Sequence, residues 1–485
     1  MNSLVIFGAS GDLTSRKLIP ALYHLHCKNR LPMPLHIVGF SRTKMTDDDW
    51  RTKLAETTQQ FAAKSFADDS WNAFAQNVHY LAGDIDQPAS FGELDNYLKT
   101  LEALQVTNRL YYLSTAPKFY GHLAEQLGNA GMSADTPQRS CRIVIEKPFG
   151  TNLESAQALN ETIHRHFTET QIYRIDHYLG KETVNNILVL RFANAIFEPI
   201  WNRNYINDIQ ITANEEVLIG RRASYYEKAG VLRDMFQNHL LQILTFVTME
   251  PPARFDAKAV RDEKVKVLQS IRAMTDDEVI HNSICGQYRS YRNEPDVEPE
   301  SRTATYGALR LFIDNWRWNG VPIFLRSGKG MSCRTTQIII NFRQPPHRMF
   351  TNDTYSTLSL PGNRLVLQLQ PAEGIHIHFE TKVPDTDMQI RNSELNFRFS
   401  EAQYGALPDS YERLLLDALH GDASLFARND EVIAAWQIID PIQRCWDSGK
   451  ISAPEFYEKG SLGPPQADRW ITSLGSRWFD LCPVE

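Results

Sequence analysis

The chain has 485 residues, of which 42% are hydrophobic and 22% charged, and it carries a formal net charge of -7. That length exceeds a single compact core and predicts two domains, while the composition excludes disorder and the acidic balance argues against a nucleic-acid partner. No run of about 20 apolar residues could span a bilayer and no signal peptide precedes the first glycine turn, so no membrane partner is expected and the location reads as cytoplasmic.

From the N-terminus, short apolar runs at 4–7, 35–40, 78–81, 109–113 and 141–146 alternate with amphipathic stretches near 16–27, 47–63, 90–104 and 118–130. Such alternation predicts right-handed βαβ units and a parallel sheet, an α/β Rossmann-type domain. The first strand leads into Gly8-Ala9-Ser10-Gly11-Asp12-Leu13 and then a helical pattern. A glycine turn there lets backbone N–H groups approach a pyrophosphate at a helix N-terminus, although two glycines also suit a tight turn without a ligand. The second strand ends Gly39-Phe40-Ser41-Arg42-Thr43-Lys44, with no acid to bond a ribose 2′-OH. Arg42 can instead grip a 2′-phosphate, which favours NADP and leaves NAD as a secondary cofactor; a solvated surface arginine is the alternative. The fifth strand closes on Glu146-Lys147-Pro148-Phe149-Gly150. Carboxyl ends of parallel strands face the ligand crevice, so Lys147 is aimed at cofactor and substrate. Whether Lys147-Pro148 is cis is open at this level.

The domain boundary is drawn after residue 175, giving a nucleotide-binding domain of 1–175 and a second domain of 176–485. At that boundary Arg174-Ile175-Asp176-His177-Tyr178-Leu179-Gly180-Lys181-Glu182 is the densest run of functional groups in the chain. It precedes a helical pattern, and His177, Tyr178 and Lys181 offer donors and charge for a phosphate; a solvated polar connector is the alternative. Further helices are expected near 181–193, 226–249, 409–420 and 428–448, and strands near 305–313, 337–342, 365–369 and 375–379. The strands follow one another without crossover helices, which predicts an α+β domain with a mostly antiparallel sheet. Loops at 293–302 and 344–355 are polar and contain proline.

His239 shares α-helical spacing with Leu232, Phe236 and Ile243, the buried face of its segment. A core histidine is the plain reading; a carboxylate partner such as Asp176 would make it a base near neutral pH. Lys329 and Arg334 flank a glycine loop that would otherwise be merely solvated. Three HxH pairs, His24/His26, His164/His166 and His376/His378, lack the further ligands a zinc site needs, and no metal is expected. The six cysteines are scattered, without a CxxC pair, which fits a reducing compartment better than a disulfide framework.

The motifs GASGDL at 8–13, EKPFG at 146–150, RIDHYLGKE at 174–182, RDMFQNHLLQ at 233–242 and RSGK at 326–329 resemble, in order and over essentially the whole chain, glucose-6-phosphate dehydrogenases. The resemblance implies oxidation of glucose 6-phosphate at C1 to the 1,5-lactone with hydride transfer to NADP. It implies His239 as proton acceptor, oriented by Asp176, and His177, Tyr178 and Lys181 as phosphate ligands. Glu215 and Asp234 would bond sugar hydroxyls, with Lys329 and Arg334 completing the substrate site. Lys147 would touch both ligands, Arg42 the 2′-phosphate, and Tyr120, Asp84 and Ile85 would line the cofactor cleft beside the 8–13 turn. Homodimers or homotetramers built on the large sheet are also implied. One stretch departs from the family: Val217-Leu218-Ile219-Gly220-Arg221-Arg222-Ala223-Ser224 loses two glycines and an acid, which makes Glu215 the least secure assignment. Sugar oxidoreductases of the inositol dehydrogenase and glucose–fructose oxidoreductase type also carry an EKP-like motif, but the RIDHYLGKE run would be unexpected in them. A non-catalytic regulator on the same fold should have lost one of His239, Asp176 or Lys181, and all three are present.

Overall fold

Continuous apolar runs build the first sheet. β1 (Asn2–Phe7) is buried along its whole length, as a strand covered on both faces must be. It pairs in parallel with β2 (Leu35–Ser41) on one side and β4 (Thr107–Leu113) on the other. With β3 (Val78–Ala82), β5 (Arg139–Ile145) and β6 (Ile172–Arg174) the sheet order is β3-β2-β1-β4-β5-β6. This is the dinucleotide-binding order, whose crevice lies where β1 and β4 diverge. The computed structural model describes residues 1–485 except 64, 104, 105, 348, 350–361, 400–406, 452, 481 and 483–485. The five expected strands are all present, and the expected helices appear as Thr14–Leu18 running into Ile19–Cys27, then Asp47–Phe61, Pro88–Glu102 and Tyr120–Asn129. Residue 104, the expected end of the third of these, lies outside the described residues. A short helix Asp68–Ala75 was not anticipated; its Trp71 and Phe74 pack on Tyr23.

This unit comprises Met1–Lys181 together with Pro252–Asp262 and Pro408–Ile433. The late segment supplies helix Ser410–His420, capped by Asp409. It is tied back by Lys28 and His24 to Glu412, at 2.6 and 3.2 Å, and by Arg142 to the Leu419 carbonyl at 3.3 Å.

The second unit holds Glu182–Pro251, Glu263–Leu407 and Ala434–Glu485. Among the described residues its sheet has nine strands: β7 (Ile206–Asn214), β8 (Ser283–Tyr288), β9 (Tyr306–Leu311), β10 (Ile323–Gly328), β11 (Thr335–Phe342), β12 (Arg364–Gln370), β13 (Gly374–Lys382), β14 (Ile390–Arg398) and β15 (Glu455–Tyr457). They run in the order β14-β13-β12-β11-β7-β10-β9-β8-β15, antiparallel except for the β7–β10 and β8–β15 pairs. Ile209, Ile211, Ile323, Phe324, Ile338 and Ile340 make its buried centre. The single helix expected over 226–249 is three segments, Ala223–Val231, Leu232–Leu240 and Leu241–Thr248. Gly230, at φ 60°, breaks the first from the second, and the second is π-helical. Most of the loop expected over 344–355 lies outside the described residues. Among the described residues no helix is long and apolar enough to cross a membrane. The scattered cysteines conceal one pair: Cys333 and Cys482 form a disulfide across 149 residues, a separation too long for any spacing rule to show.

Candidate active site

Gly8 leaves β1 at the sheet's switch point with φ 82°, a left-handed conformation that favours glycine. A Cβ there would run into the Ser114 carbonyl, so the turn is built for the bare backbone. At the end of β2 a chain of hydroxyls links Ser10 to Ser41 (3.0 Å), Ser41 to Tyr80 (3.1 Å) and Tyr80 to the Thr43 carbonyl (2.6 Å). These bonds fix the backbone on either side of Arg42, which is exposed. Asp84 and Ile85 follow β3, and His122 joins their loop to helix Tyr120–Asn129 by bonding the Ile85 carbonyl at 2.9 Å; Tyr120 itself is buried.

The end of β5 is held from below. Glu146 accepts the hydroxyls of Tyr112 at 2.5 Å and Tyr411 at 3.2 Å. Burial lifts its carboxyl above the usual range, against the lowering effect of both hydroxyls and of Lys147. The Lys147–Pro148 bond is cis.

After β6 the chain turns through the RIDHYLGKE run. Arg174 is buried and spends its guanidinium on Glu169 (2.6 Å) and Asn160 (2.7 Å), which makes it a structural anchor. Asp176 is buried and closes the turn by accepting the Tyr178 N–H at 2.9 Å. The Lys181 ammonium lies 3.7 Å above the Tyr178 ring, whose centroid is 5.0 Å from that of His177. One short segment thus gathers an ammonium, a phenol and an imidazole, a donor set matched to a phosphate dianion. Gly180 permits this: a Cβ there would sit 2.5 Å from the Ser410 carbonyl oxygen and 2.8 Å from Leu414.

In the second unit, strand register brings the sugar-binding candidates together. β7 and β10 are parallel neighbours with Asn214 opposite Gly328, so Glu215 and Lys329 emerge side by side. The Lys329 ammonium bonds Glu215 and lies 3.0 Å from Asp234. Burial alone would pull its pKa down, but the two carboxylates outweigh burial and hold it above the usual lysine value. Asp234 and His239 share the π-helical segment, both buried. In an α-helix residues five apart point about 140° from each other, whereas i→i+5 bonding brings them toward one side. Arg334 is exposed and donates to Gln370 at 3.3 Å. Each HxH pair has one ring against a carboxylate: His24 with Glu412, His164 with Glu169 and His376 with Glu394.

Two family models cover the chain: glucose-6-phosphate dehydrogenase, NAD binding domain, over residues 5–186, and glucose-6-phosphate dehydrogenase, C-terminal domain, over residues 188–479. The chain belongs to the glucose-6-phosphate dehydrogenase family. A glucose-6-phosphate 1-dehydrogenase of Aggregatibacter actinomycetemcomitans is 43% identical over 98% of this chain and 96% of its own length. That of Bacillus subtilis is 40% identical over 99% and 98%. Among solved structures, a glucose-6-phosphate dehydrogenase in complex with its substrate glucose-6-phosphate matches with TM-score 0.91 and 33% identity over 99% of this chain and 98% of that one. The glucose-6-phosphate 1-dehydrogenase of Mycobacterium avium matches at TM-score 0.85 and 32% identity over the full length of both chains.

For this family a nicotinamide cofactor is implied, and the bare glycine turn at the switch point suits the pyrophosphate of a dinucleotide. The sequence reading missed several supports. Tyr112 and Tyr411 behind Glu146, His122 beside Ile85, and Tyr457, which donates to the Lys329 carbonyl at 2.8 Å, carry no local motif. Each became visible only once distant segments met.

Proposed function

We propose that the chain oxidises glucose 6-phosphate at C1 to 6-phospho-glucono-1,5-lactone, using NADP in preference to NAD. The observation that carries this reading is the His177, Tyr178 and Lys181 cluster, since a free sugar offers such a group of donors only a neutral hydroxyl where a phosphate offers a dianion. His177, Tyr178 and Lys181 hold the 6-phosphate, and Lys147 contacts both ligands. Glu215 and Asp234 accept hydrogen bonds from sugar hydroxyls, with Lys329 fixing both carboxylates and Arg334 adding charge at the rim. His239 takes the proton from the C1 hydroxyl, and Asp176 orients the ring and stabilises the imidazolium. A positioned base of this kind is worth about 10² to 10⁴ in rate. The nicotinamide, when bound, accepts the hydride leaving C1. The turn 8–13, Asp84, Ile85 and Tyr120 seat the dinucleotide, and Arg42 pairs with its 2′-phosphate. Phosphate binding at the far end of the sugar supplies the energy that aligns C1.

A cytoplasmic location and assembly as a homodimer or homotetramer complete the reading. The outermost long strand, β14, exposes Leu395 and Phe397 on one face, an apolar patch that a second copy would cover. The direct test is absorbance at 340 nm with glucose 6-phosphate or glucose, each with NADP or NAD. Strong turnover only with the phosphorylated sugar, and faster with NADP, is expected; equal rates on both sugars would place the chain among the general sugar oxidoreductases.

A further inference from the structure

We propose that Tyr80 is a positioning residue that sets the preference for a 2′-phosphorylated dinucleotide, by holding the backbone on both sides of Arg42. The inference deepens the cofactor reading given above and rests on Arg42 meeting the 2′-phosphate.

Among the described residues Arg42 enters no ion pair, and it is exposed together with Thr43 and Lys44. Where its guanidinium reaches is therefore decided by the backbone that carries it. A single phenol holds that backbone. Tyr80, on β3, is 6% exposed, and its hydroxyl donates to the Thr43 carbonyl at 2.6 Å. A phenol has one proton, so at its 3.1 Å contact with Ser41 it accepts. The Ser41 proton is then spent, and Ser41 accepts from Ser10 at 3.0 Å and from the Thr43 N–H at 3.4 Å. The chain of hydroxyls runs one way, Ser10 to Ser41 to Tyr80 to Thr43, and each bond polarises the next. Residues 41 and 43 thus close on one oxygen, and residue 42 is held outward between them.

The phenol is itself well anchored. The Tyr80 N–H donates to Asp47 at 2.7 Å, which fixes it to the start of helix Asp47–Phe61. Its ring lies 5.4 Å from that of Trp50 on the same helix, and the Trp50 indole N–H donates to the Ala9 carbonyl at 3.4 Å. Trp50 fits there because Gly39 has no side chain; a Cβ would sit 2.5 Å from the indole. Burial pushes the Tyr80 phenol above its ordinary pKa, against the lowering effect of Ser41, so it keeps its proton at neutral pH.

The consequence is selective. Without the Tyr80 oxygen, the Thr43 carbonyl and Ser41 lose their shared partner and Arg42 loses its fixed direction. The glycine turn keeps its own bonds, Gly8 N–H to the Phe40 carbonyl (3.0 Å) and Gly11 N–H to the Gly8 carbonyl (2.9 Å). A dinucleotide bearing a 2′-phosphate therefore loses a contact, whereas one ending in a 2′-hydroxyl has none there to lose.

The test uses the full chain and the variants Tyr80→Phe, Ser41→Ala and Arg42→Ala. Phenylalanine keeps the ring against Trp50 and removes only the oxygen, while Ser41→Ala breaks the same chain of hydroxyls from its other side. Adenosine 2′,5′-bisphosphate, which carries the 2′-phosphate, and adenosine 5′-monophosphate, which lacks it, are titrated calorimetrically without sugar. The KM for NADP, the KM for NAD and kcat are measured with glucose 6-phosphate. Tyr80→Phe and Ser41→Ala should each weaken the bisphosphate and raise the NADP KM by about 3- to 10-fold. The monophosphate, the NAD KM and kcat should move by less than about twofold. A merely structural role would weaken both nucleotides alike, so equal losses, or unchanged bisphosphate binding in Tyr80→Phe, overturn the proposal. Arg42→Ala separates the two layers. If it leaves bisphosphate binding unchanged, the reading of Arg42 falls and the proposal with it; a loss in Arg42→Ala with none in Tyr80→Phe defeats the proposal alone.

Discussion

Lys181 puts the proposed substrate to the test at a single side chain. Its ammonium lies over the Tyr178 ring beside His177, so a phosphate placed there meets three donors within one short segment. A charge-assisted hydrogen bond contributes about 1.5–3 kcal/mol, which is roughly 10- to 100-fold in an equilibrium. Lys181→Ala is expected to lower kcat/KM on glucose 6-phosphate by about that factor. Its effect on free glucose should be far smaller. Side-by-side steady-state kinetics on the two sugars check this, and equal losses would remove Lys181 from the phosphate site. Lys329 carries a different lesson. It reads in the sequence as a cation beside a glycine loop, yet it is buried between two carboxylates. Its partners were nameable only through resemblance, because Glu215 and Asp234 reach it by strand register and helix winding.

At the scale of elements, the parallel sheet was legible because each of its first five strands is an apolar run bounded by helical periodicity. β6 was not, since three residues carry too little pattern. In the second sheet β9, β11, β12 and β13 were anticipated, while β7, β8, β10, β14 and β15 were not. β7 reads Ile-Asn-Asp-Ile-Gln-Ile-Thr-Ala-Asn, and its polar Asp208, Gln210 and Thr212 are buried because neighbouring strands and the C-terminal strap satisfy them. A pattern of partnered buried polar groups cannot be told from a solvated face without the partners. The π-helical winding around Asp234 and His239 was equally hidden, since the segment's apolar spacing reads as α-helix. Gly180 belongs to this scale too, because it lets the turn after β6 lie against helix Ser410–His420. Gly180→Ala would drive a methyl into the Ser410 carbonyl and Leu414, an overpacking cost of about 1–3 kcal/mol. A thermal melt should show Tm lowered by about 2–10 °C, with a raised KM for glucose 6-phosphate. An unchanged melt and KM would mean the turn does not depend on that contact.

For the whole molecule, length predicts two domains but cannot say which segments each one gathers. Pro252–Asp262 and Pro408–Ile433 join the first unit from far along the chain, and nothing local in those segments signals it. The charge distribution bears on stability against acid. Burial raises the carboxyls of Asp95, Glu169 and Glu412, but their cations outweigh it and hold all three below the usual range: Arg109 and Lys99 for Asp95, Arg174 for Glu169, and His24 and Lys28 for Glu412. A carboxyl with a depressed folded-state pKa contributes stability above its unfolded value and loses it as pH falls through the folded value. Stability should therefore hold from neutral pH down to about 4 and drop below that. Melts across pH 7 to 3 check it, and a flat Tm through that window would show these pairs to be worth little.

The central claim is that His239 removes the C1 proton while a separate cluster holds the phosphate. His239→Asn, measured for single-turnover rate and for glucose 6-phosphate binding by titration, tests it most directly. The account predicts a rate lower by about 10² to 10⁴ with the dissociation constant within about threefold of the parent. Turnover close to that of the parent enzyme would contradict it.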